Sequence, residues 1–256
     1  MPRAQGASQV LELEKLDVQP AYQVVGRELQ RHIVSGALKP GQPLPSETEL
    51  AARFGVNRST VREGIRQLES EGLVRRHGRK KLLVSVPLHT DLAPRAARAL
   101  VMHAVTFREL WDVAFALEPL AAGLAARNAT PGDVERLRAN VEATAAAVER
   151  GESPGALDLE FHALVAAAAA NNALLLAREP IGSLLYPTFE AFRPRLPQAD
   201  GRLVAAHREI VTGIAQRDAD YAVLWMTRHI QDLKRGWLMA QLDLDDRIDP
   251  SLVIGK

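Results

Sequence analysis

Apolar residues recur along this chain at intervals of three and four, broken by short glycine- and proline-bearing segments, which predicts a mostly α-helical protein. Val24, Val25, Leu29, Ile33 and Val34 share one helical face over residues 21–35, and Gly36 supplies the stop. The segment LKPGQPLP (38–45) holds three prolines and a glycine, so it interrupts regular structure. Ser46 then caps a second helix, Glu49 completes a capping box, and Leu50, Ala51 and Phe54 give its apolar face before Gly55 ends it. After a turn at Val56–Asn57, a third helix runs from Ser59 to Glu71 with Val61, Ile65 and Leu68 on its core side. Two strand-like runs, Leu73–Arg76 and Leu82–Val86, flank the basic segment HGRKK (77–81). A helix, a helix–turn–helix and a basic two-stranded wing make a winged helix over residues 21–86, preceded by a flexible arm at 1–20.

Residues 87–99 hold two prolines and no sustained apolar face, so they are expected to be a linker. The remainder reads as an all-α bundle over 100–245 with a tail at 246–256. Leu110, Val113, Leu117, Leu120 and Leu124 keep one helical face, TPGD (130–133) is a break and N-cap, and Val134–Glu149 forms the next helix. GESPG (151–155) precedes an alanine-rich helix ending near Asn171–Asn172, and Leu174–Phe192 follows with kinks at Pro180 and Pro187. The last two helices, Arg202–Gln216 and Ala219–Leu242, are joined by RDAD (217–220).

Composition narrows the function classes. With no cysteine in the chain, disulfides and thiolate metal sites are excluded, and the cytoplasm is the expected compartment. Apolar runs such as His162–Ala170 fall far short of a membrane span, and the start of the chain lacks a secretory signal. Charge is uneven: residues 1–86 carry 14 Lys/Arg against 9 Asp/Glu, and the rest 18 against 22. The basic front therefore suits a polyanion. Arg58, Arg62 and Arg66, at i, i+4 and i+8, line one exposed side of the third helix. Such a stripe is usually only a solvated face. Here it starts at the turn and is followed by a basic hairpin, which is what reading double-stranded DNA in the major groove requires.

The second half offers Asp158-x3-His162 on one helix and His207 and His229 on the last two. Asp and His at i, i+4 project from one face and can ligate one ion. His207 and His229 each lie eleven residues from Asp218, and positions equidistant from the turn of a helical hairpin lie level. All four can thus meet in the bundle core, where such folds build metal sites. A hydrogen-bonded core histidine is the commoner role for a single such residue, and spacing alone leaves both readings open.

LKPGQPLPSETELAARFGVNRSTVREGIRQLESEGLV resembles the N-terminal domain of GntR-type transcriptional regulators. The resemblance implies DNA contacts by Arg58, Ser59, Thr60 and Arg62, with His77–Gly78 at the wing tip in the minor groove. Thr48 departs from the family's frequent arginine, and Lys80–Lys81 stand where glycine is common. FRELWDVAFALEPLAAGLAA, DLEFHALVAAAAANN and AHREIVTGIAQRDADYAVLWMTRHI are similar to the FCD ligand domain of the FadR branch. That resemblance implies a divalent ion on Asp158, His162, His207 and His229: Zn²⁺ first, with Ni²⁺ or Mn²⁺ also compatible with N/O donors. Two open positions of an octahedron would then receive a small carboxylate effector. Ala114 stands where many members carry an arginine for that carboxylate, so either another base, Arg178 or Arg193, replaces it or the ligand differs. The implied whole is a homodimeric, ligand-released repressor on a near-palindromic operator. Alternatives are an ion that is itself the signal, or a metal-dependent enzyme; against the latter, no further carboxylate stands as a general base.

Overall fold

A computed structural model describes residues 19–78 and 81–252. Most of the expected arm, residues 1–18, lies outside the described residues, as do Arg79, Lys80 and 253–256. The chain divides into two compact units, Met1–Pro87 and Leu88–Lys256.

In the first unit, α1 (Ala21–Val34), α2 (Glu47–Phe54) and α3 (Arg58–Ser70) precede β1 (Val74–His77) and β2 (Lys81–Val84). Val25, Leu29, Leu50, Val61, Ile65, Leu68, Val74 and Val84 form the core. The Ser46 side chain accepts from the Glu49 N–H at 3.2 Å, capping α2. Gly55 ends it with φ 66°, the left-handed geometry that glycine adopts without steric cost. At Gly64 a Cβ would lie 2.9 Å from the Tyr22 carbonyl oxygen, so α1 and α3 cross almost backbone to backbone. The strands pair antiparallel with Val74 opposite Val84 and His77 opposite Lys81. The proline-rich segment joins this hairpin: Pro43 bridges Leu83, and the Leu44 N–H donates to the Leu82 carbonyl at 2.9 Å.

The second unit contains α4 (His89–Met102), α5 (Phe107–Asn128), α6 (Pro131–Glu149), α7 (Gly155–Ala168) and α8 (Asn172–Leu185). A 3-10 turn at Tyr186–Thr188, the single-turn α9 (Phe189–Phe192), a 3-10 turn at Arg193–Arg195, α10 (Ala199–Ala215), α11 (Ala219–Met239) and a 3-10 turn at Pro250–Leu252 follow. Among the described residues, no helix is long and apolar enough to cross a membrane.

Three expectations are corrected. The linker at 87–99 is largely α4. Asp91 accepts from the Leu88 N–H at 2.9 Å, and Ala93 and Ala97 are buried as α4 packs on α8. Small residues there allow close helix approach, although they give a weak apolar signal. On α5 the expected leucine face holds only in part: Leu110 is buried and Leu117 and Leu124 pack against the core, but Val113 and Leu120 are 42% and 50% exposed, while Phe107, Ala114, Glu118, Ala121, Ala122 and Ala125 are buried. Finally, the expected tail begins as part of the core. The Ile248 N–H donates to the Val105 carbonyl at 3.0 Å, Arg247 bridges Thr106, and Leu244 and Ile248 are buried.

Candidate metal centre and nucleic-acid interface

Four polar side chains meet inside the apolar bundle. Asp158 and His162 sit one turn apart on α7, His207 on α10 and His229 on α11, and all four are buried. The hairpin geometry arises as the sequence reading expects. Asp218 caps α11 by accepting from the Tyr221 N–H at 2.9 Å, and Gly213 lets the helices close. A Cβ at Gly213 would lie 2.7 Å from the Ala222 nitrogen. His207 Nε2 is 3.3 Å from His229 Nε2, which is 3.1 Å from His162 Nε2. Asp158 Oδ1 lies 3.2 Å from His207 Nε2 and 3.8 Å from each of the other two.

Ligand atoms about 2.1 Å from one ion lie about 3.0 Å apart at right angles and about 3.4 Å apart at the tetrahedral angle. One donor atom from each of the four residues falls within 4.8 Å of the other three, a set that could hold a metal ion. Without a cation the arrangement is poorly satisfied. Asp158 Oδ1 is buried with no hydrogen-bond partner, and burial pushes its carboxyl pKa up against the pull of His162 and His229. Burial, reinforced by neighbouring imidazoles, holds His207 and His229 well below the usual histidine range, so both are neutral and carry a lone pair. These residues fit a divalent ion.

A shell around the histidines fixes their orientation. Glu118 on α5 takes the His162 Nδ1–H at 2.9 Å and the Arg178 Nε–H at 2.9 Å. His162 is thereby set in the tautomer that leaves its Nε2 lone pair facing the other three donors. Burial would raise the Glu118 pKa, but Arg178 and His162 outweigh it and hold the carboxyl at about 2. Tyr186 stacks on His162 at 4.0 Å, and Phe161 stacks on His207 at 3.6 Å. A cavity of about 20 Å³, bounded by Asp158, Tyr186, His229, Phe192, Leu203 and Asp232, adjoins the cluster and has room for about one water.

The sequence reading missed Glu118, Tyr186 and the role of Arg178. Ala114 is buried in the core. The two arginines expected to replace a cation there are committed elsewhere. Arg178 pairs with Glu118 and Glu179, and Gly182 leaves space for its Nη2. Arg193 pairs with Asp200 and donates to the Glu152 carbonyl.

In the first unit Arg58, Ser59, Arg62, Arg66, His77 and Gly78 are exposed, and Thr60 is half-buried. The Arg62 guanidinium chelates Glu47 of α2, at 2.9 Å from Nη2 and 3.2 Å from Nε to Oε2. Arg58 approaches the same carboxylate at 3.8 Å, and Arg66 pairs with Glu63 at 3.1 Å. Gly78 turns the wing with φ 67°. The resulting face carries arginines at the start of α3 beside a basic hairpin, the chemistry that contacts phosphates and base edges.

Comparison with known proteins covers both units. Residues 21–84 match the family described as bacterial regulatory proteins, gntR family, and residues 109–232 match the FCD domain. The chain is 30% identical over 207 residues to the HTH-type transcriptional regulator LutR of Bacillus subtilis (strain 168), covering 79% of this chain and 94% of that one. It is 28% identical over 225 residues to the Glc operon transcriptional activator of Escherichia coli (strain K12), covering 84% and 88%. A solved structure described as Streptococcus agalactiae GntR shares the fold, with a TM-score of 0.60, 24% identity and coverage of 84% and 99%.

Proposed function

Because the chain belongs to the gntR family of bacterial regulatory proteins and carries an FCD domain, and is thus a DNA-binding transcriptional regulator, we propose that it is released from its operator by a small organic acid bound beside a divalent ion in the second unit. The observation that carries this reading is the convergence of Asp158, His162, His207 and His229 in the bundle core. A divalent ion there, Zn²⁺ first, would supply a Lewis-acidic pole that attracts a carboxylate. The chain's own residues do the rest. Glu118 orients His162, Tyr186 and Phe161 fix the ring planes, and the apolar wall of Phe192 and Leu203 keeps bulk water from the cluster.

In the first unit, Arg58, Ser59, Thr60, Arg62 and Arg66 would enter the major groove with the first turns of α3, and His77 and Gly78 would reach the adjacent minor groove. A homodimer presents this face twice, so the operator is expected to be a near-palindrome. The effector acts by preferring the DNA-incompetent arrangement.

The test combines metal analysis of the purified chain with duplex selection from a random pool and a thermal-shift screen of organic acids. One divalent ion per chain, a two-fold symmetric selected site and an acid that both raises the melting temperature and weakens binding support the reading. An ion-free chain with an unchanged acid response removes the ion from it. A reporter behind the selected site fixes the sign; acid-dependent activation without basal repression would replace repression, the sign named for the E. coli relative.

A further inference from the structure

Two spaces meet at His229 and Asp232. The inner one is the cavity of about 20 Å³ beside the histidine cluster. That volume has room for about one water. The outer one is a groove of about 510 Å³ along α10 and α11, with Arg202, Arg228 and Arg235 on its walls and Trp225 and Ala206 along its length. His229 and Asp232 line both spaces.

The groove is short of negative charge. Three guanidinium groups face one carboxylate, Asp232. Arg202 donates from Nε to Asp232 Oδ2 at 2.8 Å, and Arg235 lies 4.0 Å from Oδ1 of the same group. Arg202 Nη2 is buried yet has no hydrogen-bond partner, an unmet donor that costs stability unless an acceptor arrives. Arg228 makes no ion pair among the described residues and lies over the Trp225 ring at 5.0 Å. A planar guanidinium fork matches a carboxylate, while an indole ring and an alanine offer cover to carbon.

We propose that this groove binds an organic carboxylate, with Arg202 and Arg228 receiving the carboxylate and Trp225 covering its carbon skeleton. Binding draws Arg202 away from Asp232, a residue that with His229 also lines the inner cavity. The inference goes beyond the ligand-responsive reading: the groove is a separate carboxylate site outside the cluster. It does not require an ion in the cluster, so the two fail separately.

Trp225 supplies the signal for a test on the full chain. Its fluorescence is titrated with succinate, benzoate and inorganic phosphate, before and after chelator treatment, and Trp225→Phe locates the response against Trp111 and Trp237. Succinate or benzoate is expected to change the emission saturably in both preparations. Arg202→Gln is expected to weaken that binding about tenfold to hundredfold, the loss of a charge-assisted hydrogen bond. Arg228→Gln, on an exposed position, gives a second reading if the first variant misfolds. An absent response to all three probes, or unchanged affinity in both arginine variants, overturns the proposal. Phosphate binding as tightly as the carboxylates overturns the carboxylate assignment. A response confined to the ion-loaded protein overturns the groove while leaving the ion-based reading intact.

Discussion

Glu118→Gln isolates the buried carboxylate on which the histidine cluster leans. The side chain is 2% exposed and accepts from His162 Nδ1 and from Arg178 Nε, each at 2.9 Å. An amide of the same shape keeps the packing, removes the charge and turns an N–H₂ toward two donors. Removing one partner of a buried ion pair costs about 3–5 kcal/mol. The pKa gives an independent figure in the metal-free chain. A fall from 4.5 to about 2 corresponds to about 3 kcal/mol of stabilisation. The folded pKa is the depressed one, so this contribution is fully present above pH 4.5 and is lost as the pH falls toward 2. A domain of this size shifts its melting temperature by about 2–4 °C per kcal/mol, so the variant should melt roughly 10 °C lower at neutral pH. Its zinc affinity, read by competition with a chromophoric chelator, should fall about tenfold to hundredfold because the His162 tautomer is no longer enforced. The acid-side stability curve of the metal-free variant should also be flatter than that of the parent between pH 4.5 and 2. A variant that matches the parent in melting temperature and zinc competition would refute the assigned role of Glu118.

Other perturbations address separate parts of the molecule. Arg62→Ala should cost about 1–3 kcal/mol of affinity for a selected duplex in fluorescence anisotropy, and an unchanged isotherm would remove Arg62 from the DNA-reading face. His207→Ala should leave less than the parent's metal content after gel filtration; retention of the full amount would mean that the ion sits elsewhere. Gly213→Ala should lower thermal stability by about 1–3 kcal/mol, because a Cβ 2.7 Å from the Ala222 nitrogen must push the helices apart. Equal or higher stability would show that α10 and α11 have slack. Glu47→Gln should leave Arg62 less ordered and shift its duplex affinity, with circular dichroism confirming an unchanged helix content.

Local signals made the first unit readable. Ser46, Gly55 and Gly72 mark helix ends by their own side-chain or backbone chemistry, so α2, α3 and the turn between them could be placed without tertiary information. His207 and His229 were legible for a similar reason: a hairpin turn fixes relative height by counting outward from Asp218. What escaped depends on neighbours. Alanine carries little periodic signal, yet on α5 and α4 it is the residue that lets helices touch, so the leucine periodicity of α5 includes the exposed Val113 and Leu120 and omits the buried Ala114, Ala121 and Ala122. Glu118 sits within that alanine face. A charged residue one turn from Ala114 and three and four from Ala121 and Ala122 was the available clue, but its partner Arg178 lies 60 positions away. Ile248 shows no pattern at all, because its burial depends on a hydrogen bond to Val105 across the domain.

The donor set is assembled from three helices, and its last member arrives late. Synthesis releases the arginine-bearing helix before any of the four donors, and His229 emerges after the other three. Any product cut short before α11 therefore retains the whole first unit and lacks one of the four donors. In a cell, premature termination or proteolytic trimming before α11 would yield a fragment that keeps the arginine-bearing helix and can never assemble the four-donor cluster.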